Sequence, residues 1–441
     1  MKENTIKLEK VIIDIAAGPF GSNLKVSCFV DDGFPIIDGA NLKGFKVTDN
    51  ITKFVTEEKA NSLYRSIAHR NDVVVTISGT LGQIAYIPED SMYEAYLCSQ
   101  RQFRVTFDAE KVFVPYIVYY FHTYEGQHKI LSFANQTGVP ALSQPLKNFK
   151  NIEVKLPAIE VQKKIASVAL SLDGKIELNN RINENLESQA QEIFKSWFVD
   201  FEPFGGVKPE EWTEKSVYDL AEYINGAAFK KNEYSTEGIP IIKIAELKNG
   251  ITDSTQYCCI EKDEKYYFDN KAILFSWSGN PETSIDTFLW YRGKAILNQH
   301  TFRVVSKYNA PAFTYFLLKY LKPKFTHIAS NKQTTGLGHV TVSDLKRLQF
   351  SCSTDAIEEF EKMSKPLFDM IYNTYVESNR LSKLRDVLLP KLMNGEIDSL
   401  TLPLFSTIVK NLRENEFLAA TRDVLLPKLM KGEIDVSEIK I

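Results

Sequence analysis

The strongest constraint on this chain is that it is written twice. Gly33-Phe-Pro-Ile-Ile-Asp-Gly-Ala-Asn-Leu-Lys43 recurs as Gly238-Ile-Pro-Ile-Ile-Lys-Ile-Ala-Glu-Leu-Lys248, 205 positions later (238 − 33). Ser78-Gly79 recurs as Ser278-Gly279 at an offset of 200, and Gln100–Val105 as Gln299–Val304 at 199. Gln136-Thr137 finds Gln333-Thr334, Ala158-Ile-Glu160 finds Ala356-Ile-Glu358 at 198, and Asn180-Arg181 finds Asn379-Arg380. Matches that keep one order while the offset drifts slowly require two copies of one unit with loops of different length. Any fold proposed for the chain must therefore be a fold that closes twice.

Each copy begins with strands and ends in a helix. Phe34–Ile37, Asn71–Ile77 and Arg101–Phe107 are rich in β-branched and aromatic residues, and Gly18-Pro19, Asp32-Gly33 and Ser78-Gly79 punctuate them. Pro115–His122 reads as a short buried helix. From Pro157 to Phe201 the period changes: Ile165, Val168, Leu172, Ile176, Ile182, Leu186, Ile193 and Trp197 fall at helical intervals. Asn179 fills the gap in that series, and Asn183 and Asn185 flank Ile182. An amide on such a seam weakens packing but sets the register against a partner helix. One such helix alone would suit the surface of a globular core. A second, from about Asp355 to Leu389, shifts the reading towards paired helices in a pseudo-dimer. It carries Leu367, Ile371, Leu381, Leu384 and Leu388 on one face, with Asn373 and Asn379 in its middle. Pro366 is expected to interrupt its first turns and Pro390 to end it. Arg385–Asp398 then recurs as Arg422–Asp435, a local tandem duplicate of the helix end. The expected class is α+β. The expected division is a β-rich domain at 1–156, a helix at 157–201, a second β-rich domain at 202–354, a second helix at 355–398 and the duplicated tail at 399–441.

Composition excludes several classes. With 44% hydrophobic and 25% charged residues the chain is globular rather than disordered, and 441 residues suffice for two or more domains. No apolar run reaches membrane-spanning length and Met1–Lys7 has no apolar core, so the expectation is a cytoplasmic protein without a membrane partner. Cys28, Cys98, Cys258, Cys259 and Cys352 are odd in number and lack C-x-x-C spacing, as reduced structural thiols do.

Catalytic signatures are missing as well. Gly39–Gly44 imitates a phosphate loop, but Phe45-Lys46 stands where Lys-Ser/Thr is needed. Asp263-Glu264-Lys265 fits a solvated charge run better than a nuclease metal site, and the six histidines never pair at metal-ligand spacing. The Asn/Asp-Pro-Pro-Tyr/Phe tetrapeptide that marks amino-methyltransferases does not occur. No cofactor, metal or catalytic residue is expected.

Binding chemistry is present in the turns. Phe20, Ser22, Asn23 and Lys25 follow Gly18-Pro19, with Lys230 and Lys231 as counterparts by position; Asn41 and Lys43 follow the strand at Phe34, with Lys248 as the counterpart of Lys43. Ser78, Thr80 and Gln83 correspond to Ser276, Trp277, Ser278 and Asn280. Gln100, Arg101 and Gln102 correspond to Gln299 and His300, the amide and guanidinium groups that pair with base edges. Lys332 and Gln333 belong to a basic stretch with Lys319, Lys322, Lys324, Lys346 and Arg347, opposed locally by Asp344 alone. Each loop taken singly is as well explained by an ordinary Gly/Ser turn. Matched positions in both copies favour the binding reading for the set.

With two β-rich domains, each followed by a polar-centred helix, the chain resembles the specificity subunit of type I restriction-modification enzymes. Ile176-Glu-Leu-Asn-Asn-Arg-Ile-Asn-Glu-Asn-Leu-Glu187, Ile193–Phe201, Ser78–Gln83 and Asn415–Leu429 carry the likeness, which covers nearly the whole chain. The resemblance implies a non-catalytic subunit whose two target-recognition domains each read half of a bipartite double-stranded DNA target. It implies two helices paired as an antiparallel coiled coil with pseudo-twofold symmetry, docking two methyltransferase (modification) subunits. Motor-nuclease (restriction) subunits can join that core. The duplicated tail departs from the pattern and leaves open which copy packs on the first helix. A protein-interaction scaffold that does not read DNA is the rival reading. Net charge is −3, and residues 1–155 hold 17 basic against 17 acidic residues, so the isolated chain should bind DNA poorly.

Overall fold

The computed structural model describes residues 5–135, 139–333 and 336–397. Its described residues form two compact units, one drawn from Met1–Lys175 and Leu381–Ile441 and the other from Ile176–Arg380. The duplicated tail and the pairing of Gln136-Thr137 with Gln333-Thr334 lie partly or wholly outside the described residues.

Among the described residues the first unit has four sheets, one of them the short pair Ala134–Asn135 with Ala141–Leu142. Thr5–Lys7 pairs with Glu153–Lys155. A four-stranded sheet runs in the order Ile12–Ala17, Gln102–Phe107, Val73–Thr76, Ile84–Tyr86, antiparallel throughout. A five-stranded sheet runs Phe29–Val30, Phe54–Val55, Phe34–Ile37, Ala95–Cys98, Ile67–His69, with the pair Phe34–Ile37 and Ala95–Cys98 parallel. All four residues of Val73–Thr76 are buried, which is why this strand reads as a continuous apolar run instead of an alternating one. Val114–His122, with a proline in its first turn, buries eight of its nine residues.

The second unit repeats the other three sheets strand for strand: Thr213–Ser216 with Gln349–Cys352; Ala221–Asn225, Thr301–Ser306, Ile273–Ser276, Asp286–Leu289; and Tyr234–Ser235, Tyr257–Cys258, Ile239–Ile242, Ala295–Leu297, Tyr267–Phe268. Its fourth sheet differs, pairing Ser278–Gly279 with Gly338–His339. The same pair is parallel, Ile239–Ile242 beside Ala295–Leu297. The registers coincide too. Ile36 sits opposite Leu97, and Ile241 opposite Ile296, so the partners are displaced by 205 and 199, the offsets present in the sequence. Val73 opposite Val105 becomes Ile273 opposite Val304, at 200 and 199.

Two 40-residue helices, Ile159–Phe198 and Thr354–Met393, each contribute residues to both units. In the first unit Ile165, Val168 and Leu172 pack with Leu389, Leu392, Tyr116 and Tyr119. Asp173 accepts a hydrogen bond from Tyr119 and forms an ion pair with Arg385, whose guanidinium lies 4.7 Å from the centre of the Phe45 ring. In the second unit Phe194 and Phe198 join a cluster of rings with Phe313, Phe350 and Phe360. There Asn179, 1% exposed, donates to Glu377 at 2.9 Å and Ser378 at 3.2 Å, and Asn183 donates to the Ile371 carbonyl at 3.4 Å. Of the amides expected on the apolar seam, Asn179 and Asn183 are thus buried with their amide nitrogens partnered, while Asn185 and Asn379 are half-buried and Asn373 is exposed.

Both proline expectations fail. Pro366 and Pro390 lie inside a continuous helix. Each removes one backbone hydrogen bond, but Leu367 and Phe368 after the first, and Leu389 and Leu392 around the second, are buried and hold the turns in place. The helix ends instead at Asn394-Gly395. Gly395 adopts φ +71°, its N–H reaches the Leu392 carbonyl, and Glu396 N–H reaches Lys391, a left-handed cap that glycine favours.

Candidate nucleic-acid interface

In the first unit a close backbone approach organises the loops. Gly18 N–H donates to the Gln102 carbonyl at 2.8 Å, and a Cβ on Gly18 would stand 1.8 Å from the Ser99 carbonyl oxygen. Only glycine lets the loop after Ile12–Ala17 lie on the turn before Gln102–Phe107. From the other side, the Gln100 side-chain amide donates to the Leu24 carbonyl at 2.7 Å. Between these anchors Phe20, Ser22 and Asn23 are exposed, and Lys25 follows them into solvent.

A cleft of about 650 Å³ opens beside this loop, and its lining includes Ser78, Thr80, Gln83, Gln100, Arg101 and Gln102. Three turns distant in sequence therefore meet. Gln83 is held in place: its oxygen accepts from Thr76 at 3.0 Å and its amide donates to the Gly39 carbonyl at 2.9 Å. The Arg101 side chain is exposed and has no hydrogen bond or ion pair among the described residues. Such a guanidinium is available to a base edge or a phosphate. The cleft wall also carries Lys53 paired to Asp38 at 2.6 Å. Neither was anticipated, because Lys53 enters from the loop just before Phe54–Val55, with no local motif around it. Lys43 is exposed and stands outside the lining. Asn41, in contrast, is buried; it accepts from Asp38 N–H at 3.0 Å and donates to the carbonyls of Asn50 and Thr48. Gln102 is buried as well, bonded to Ser99. These placements suit support of the loops and not the direct base contact expected of them.

The second unit builds the same corner with other side chains. Gly226 N–H donates to the Thr301 carbonyl at 3.1 Å, and a Cβ there would stand 2.2 Å from the Asn298 carbonyl oxygen. The Trp277 indole donates to Asn225 at 3.2 Å, and its ring lies 5.7 Å from that of His300 and 5.9 Å from that of His339. Burial, reinforced by the neighbouring His339, lowers the His300 pKa below the ordinary histidine value. Gln299 reaches the His300 ring at 3.4 Å. His339 arrives from the short strand Gly338–His339, which pairs with Ser278-Gly279, so sequence proximity gave no hint of it. Ser276 and Ser278 are buried, and the exposed Asn280 accepts from Glu282 and Thr283 N–H as a helix cap. Lys230 and Lys231 are exposed, Lys248 contacts Ser284 at 3.4 Å, and Gln333 is exposed.

The basic stretch is less free than the local sequence suggests. Lys332 is paired with Asp344, while Lys319 and Lys322 are paired with Asp286 and Lys319 also with Glu187. Asp344 is the local acidic residue, but the partners of Lys319 and Lys322 come from strand Asp286–Leu289 and the first long helix, far away in sequence. Among the described residues no group of His, Cys, Asp and Glu is arranged to hold a metal ion, and no helix is long and apolar enough to cross a membrane.

The sequence matches the family described as type I restriction modification DNA specificity domain over residues 27–188 and again over 209–383. The type I restriction enzyme MjaIX specificity subunit of Methanocaldococcus jannaschii is 25% identical over 418 residues, spanning 90% of this chain and 94% of that protein. The HindI specificity subunit of Haemophilus influenzae is 24% identical over 324 residues, spanning 56% of this chain and 69% of that protein. The crystal structure of a type I restriction-modification S subunit from M. genitalium aligns with a TM-score of 0.49 at 15% identity, covering 89% of this chain and 96% of that one.

Proposed function

The chain belongs to the type I restriction-modification DNA specificity family, and on that premise we propose how its two units divide the reading of a DNA target. Each unit reads one half of a bipartite double-stranded site. The first uses Arg101, Gln100 and the loop Phe20–Lys25 beside the cleft. The second uses Trp277, Gln299 and His300, with Lys230, Lys231 and Lys248 towards phosphates. One observation carries this reading: two units share sheet order and register, yet the turn that follows the same strand in each presents different hydrogen-bonding groups. A common frame with unlike edges is what two unlike half-sites require.

The subunit reads sequence and leaves methyl transfer to two methyltransferase subunits docked along its helices, with motor-nuclease subunits able to join, in the cytoplasm. In the first unit Asp173 meets Arg385; in the second Asn179 meets Ser378 and Asn183 meets Ile371. Numbers rise on one helix as they fall on the other, which supports an antiparallel coiled coil with a pseudo-twofold axis. Forty residues at about 1.5 Å each make a rod of about 60 Å, long enough to set a spacer between half-sites. The balanced charge of residues 1–155 means that partners complete the affinity for DNA.

The test is the assembled methyltransferase complex carrying Gln100→Ala and Arg101→Ala, with methylated sites read by sequencing. One half of the motif should relax, each bidentate pair removed costing about 1–3 kcal/mol, while the other half and the spacer stay unchanged. Equal relaxation of both halves would show that these residues only hold the fold. A heptad inserted into both helices, after Lys175 and after Arg380, should lengthen the spacer by about 10 Å, or about 3 base pairs. An unchanged spacer would remove the helices as its ruler.

A further inference from the structure

We propose that Phe20 is a wedge that stacks into the DNA, so that the deformability of one base step becomes part of the target read by the first unit. This inference rests on the half-site reading above. Phe20 is 86% exposed, whereas most phenylalanines of the chain sit in cores. Its ring is not on a loose tether. Gly18 and Pro19 before it are buried, Leu24 after it is 3% exposed, and Asn23 N–H closes a turn onto the Phe20 carbonyl at 3.0 Å. The Ser66 hydroxyl donates to the Ala17 carbonyl at 2.9 Å, and Gln100 holds Leu24 from the other side. A loop anchored at both ends thus displays an apolar ring, and its Leu24 lines the same cleft as Arg101.

The second unit shows that the frame does not need this ring. Gly18 and Gly226 make the same close approach and the same hydrogen bond, so Phe20 corresponds to Ala228, at an offset of 208. By the next short helical turn, Val26–Cys28 against Lys231–Glu233, the offset is 205. Gly21, Ser22 and Asn23 therefore have no counterpart: they form an added turn, and Phe20 sits at its start. The addition also brings Ser22 and Asn23 to the surface next to Phe20, ahead of the exposed Lys25, whose counterpart is Lys230. An apolar side chain ringed by phosphate-binding groups is the composition of residues that part a base step and kink a duplex. The occupant is accordingly double-stranded DNA, not a protein partner.

The experiment uses the assembled complex and duplexes carrying 2-aminopurine at each position of, and next to, the half-site that Arg101→Ala relaxes. One position should brighten on binding. Phe20→Ala, which installs the residue of the other unit, should abolish that brightening and weaken binding about tenfold, and Phe20→Trp should restore both. Replacing the brightened step by a stiffer one should weaken the unaltered complex but not Phe20→Ala. Brightening that survives Phe20→Ala at every position, as extrusion of a methyl-accepting base would, overturns the wedge. So does loss of methyltransferase assembly in Phe20→Ala, which would make the ring a protein contact. If Arg101→Ala relaxes one half while Phe20→Ala changes nothing, the wedge falls and the half-site reading stands. If neither variant alters the motif, the half-site reading falls first.

Discussion

The corner of the first unit at Ser99–Gln102 and that of the second at Asn298–Thr301 sit on the same strands, reached by the same glycine approach, and present different chemistry. The first is an open cleft with a guanidinium that has no partner among the described residues, and an added loop bearing Phe20. The second carries the Trp277 indole, with the two imidazoles of His300 and His339 near it. The difference separates what the frame demands from what the ligand demands. Gly18 and Gly226 belong to the frame, since any Cβ would strike a carbonyl oxygen. Arg101 and His300 occupy matched positions and share no chemistry, so the frame does not choose between them.

The way each unit holds the long helices differs as well, and here the largest effect is expected. In the first unit Asp173 and Arg385 form an ion pair with both side chains largely buried, and Tyr119 donates to the same carboxylate. In the second, Tyr315 donates at 2.5 Å to Glu187, whose side chain is more exposed and shared with Lys319. Asp173→Ala leaves the buried Tyr119 hydroxyl without its acceptor and Arg385 with only Asp386 and Ser382, and should destabilise the first unit by about 3 kcal/mol. Glu187→Ala should cost less, about 1 kcal/mol, because only the Tyr315 hydroxyl loses its acceptor while Lys319 keeps Asp286. Urea unfolding followed by hydrogen exchange resolves the two units; equal losses would erase the distinction.

A smaller effect sharpens the comparison of the edges. Gln299→Ala with His300→Ala should relax the half-motif that Arg101→Ala leaves intact, again by about 1–3 kcal/mol for each bidentate pair removed. Sequencing of methylated sites gives the answer directly, and relaxation of the same half by both sets would place the two corners on one half-site.

The smallest effect concerns acid. Burial holds His122 below the ordinary histidine value, with Arg385 pushing the same way, while its Nε2 donates to the Ile84 carbonyl at 2.7 Å. The unfolded chain then takes up a proton that the folded unit refuses. Stability from this group is complete above about pH 6.5 and is lost as the pH falls below it, by at most about 1.4 kcal/mol per pH unit. His300 shifts in the same direction, but it is exposed enough for solvent to screen it. His122→Gln should flatten the loss between pH 6.5 and 5 in the first unit only, measured by thermal unfolding across that range. An unaltered slope would assign the acid sensitivity to another group.

Periodicity and repetition were legible because they are properties of neighbours along the chain. The strand Phe34–Ile37, the buried helix before His122, the polar seam at Asn179 and the offsets of 205 and 199 all reappear in the register. The turns at Ser78 and Gln100 were legible as polar turns, though their meeting in one cleft was not. Helix ends were misjudged where burial of Leu389 and Leu392 outweighs the missing hydrogen bond at Pro390.

By itself the sequence determined that the chain is a duplicated α+β protein with two long helices and no catalytic motif. Those conclusions follow from patterns repeated at short range or at one drifting offset. Only the tertiary structure decided which polar residues stay available. Asn41 looked as suited to a ligand as Arg101 until Asp38, Thr48 and Asn50 claimed its amide. Lys319 and Lys322 looked unopposed until Asp286 reached them from a strand more than thirty residues away. Hydrogen bonds and ion pairs are satisfied in space, so the partner that silences a side chain can lie anywhere along the chain.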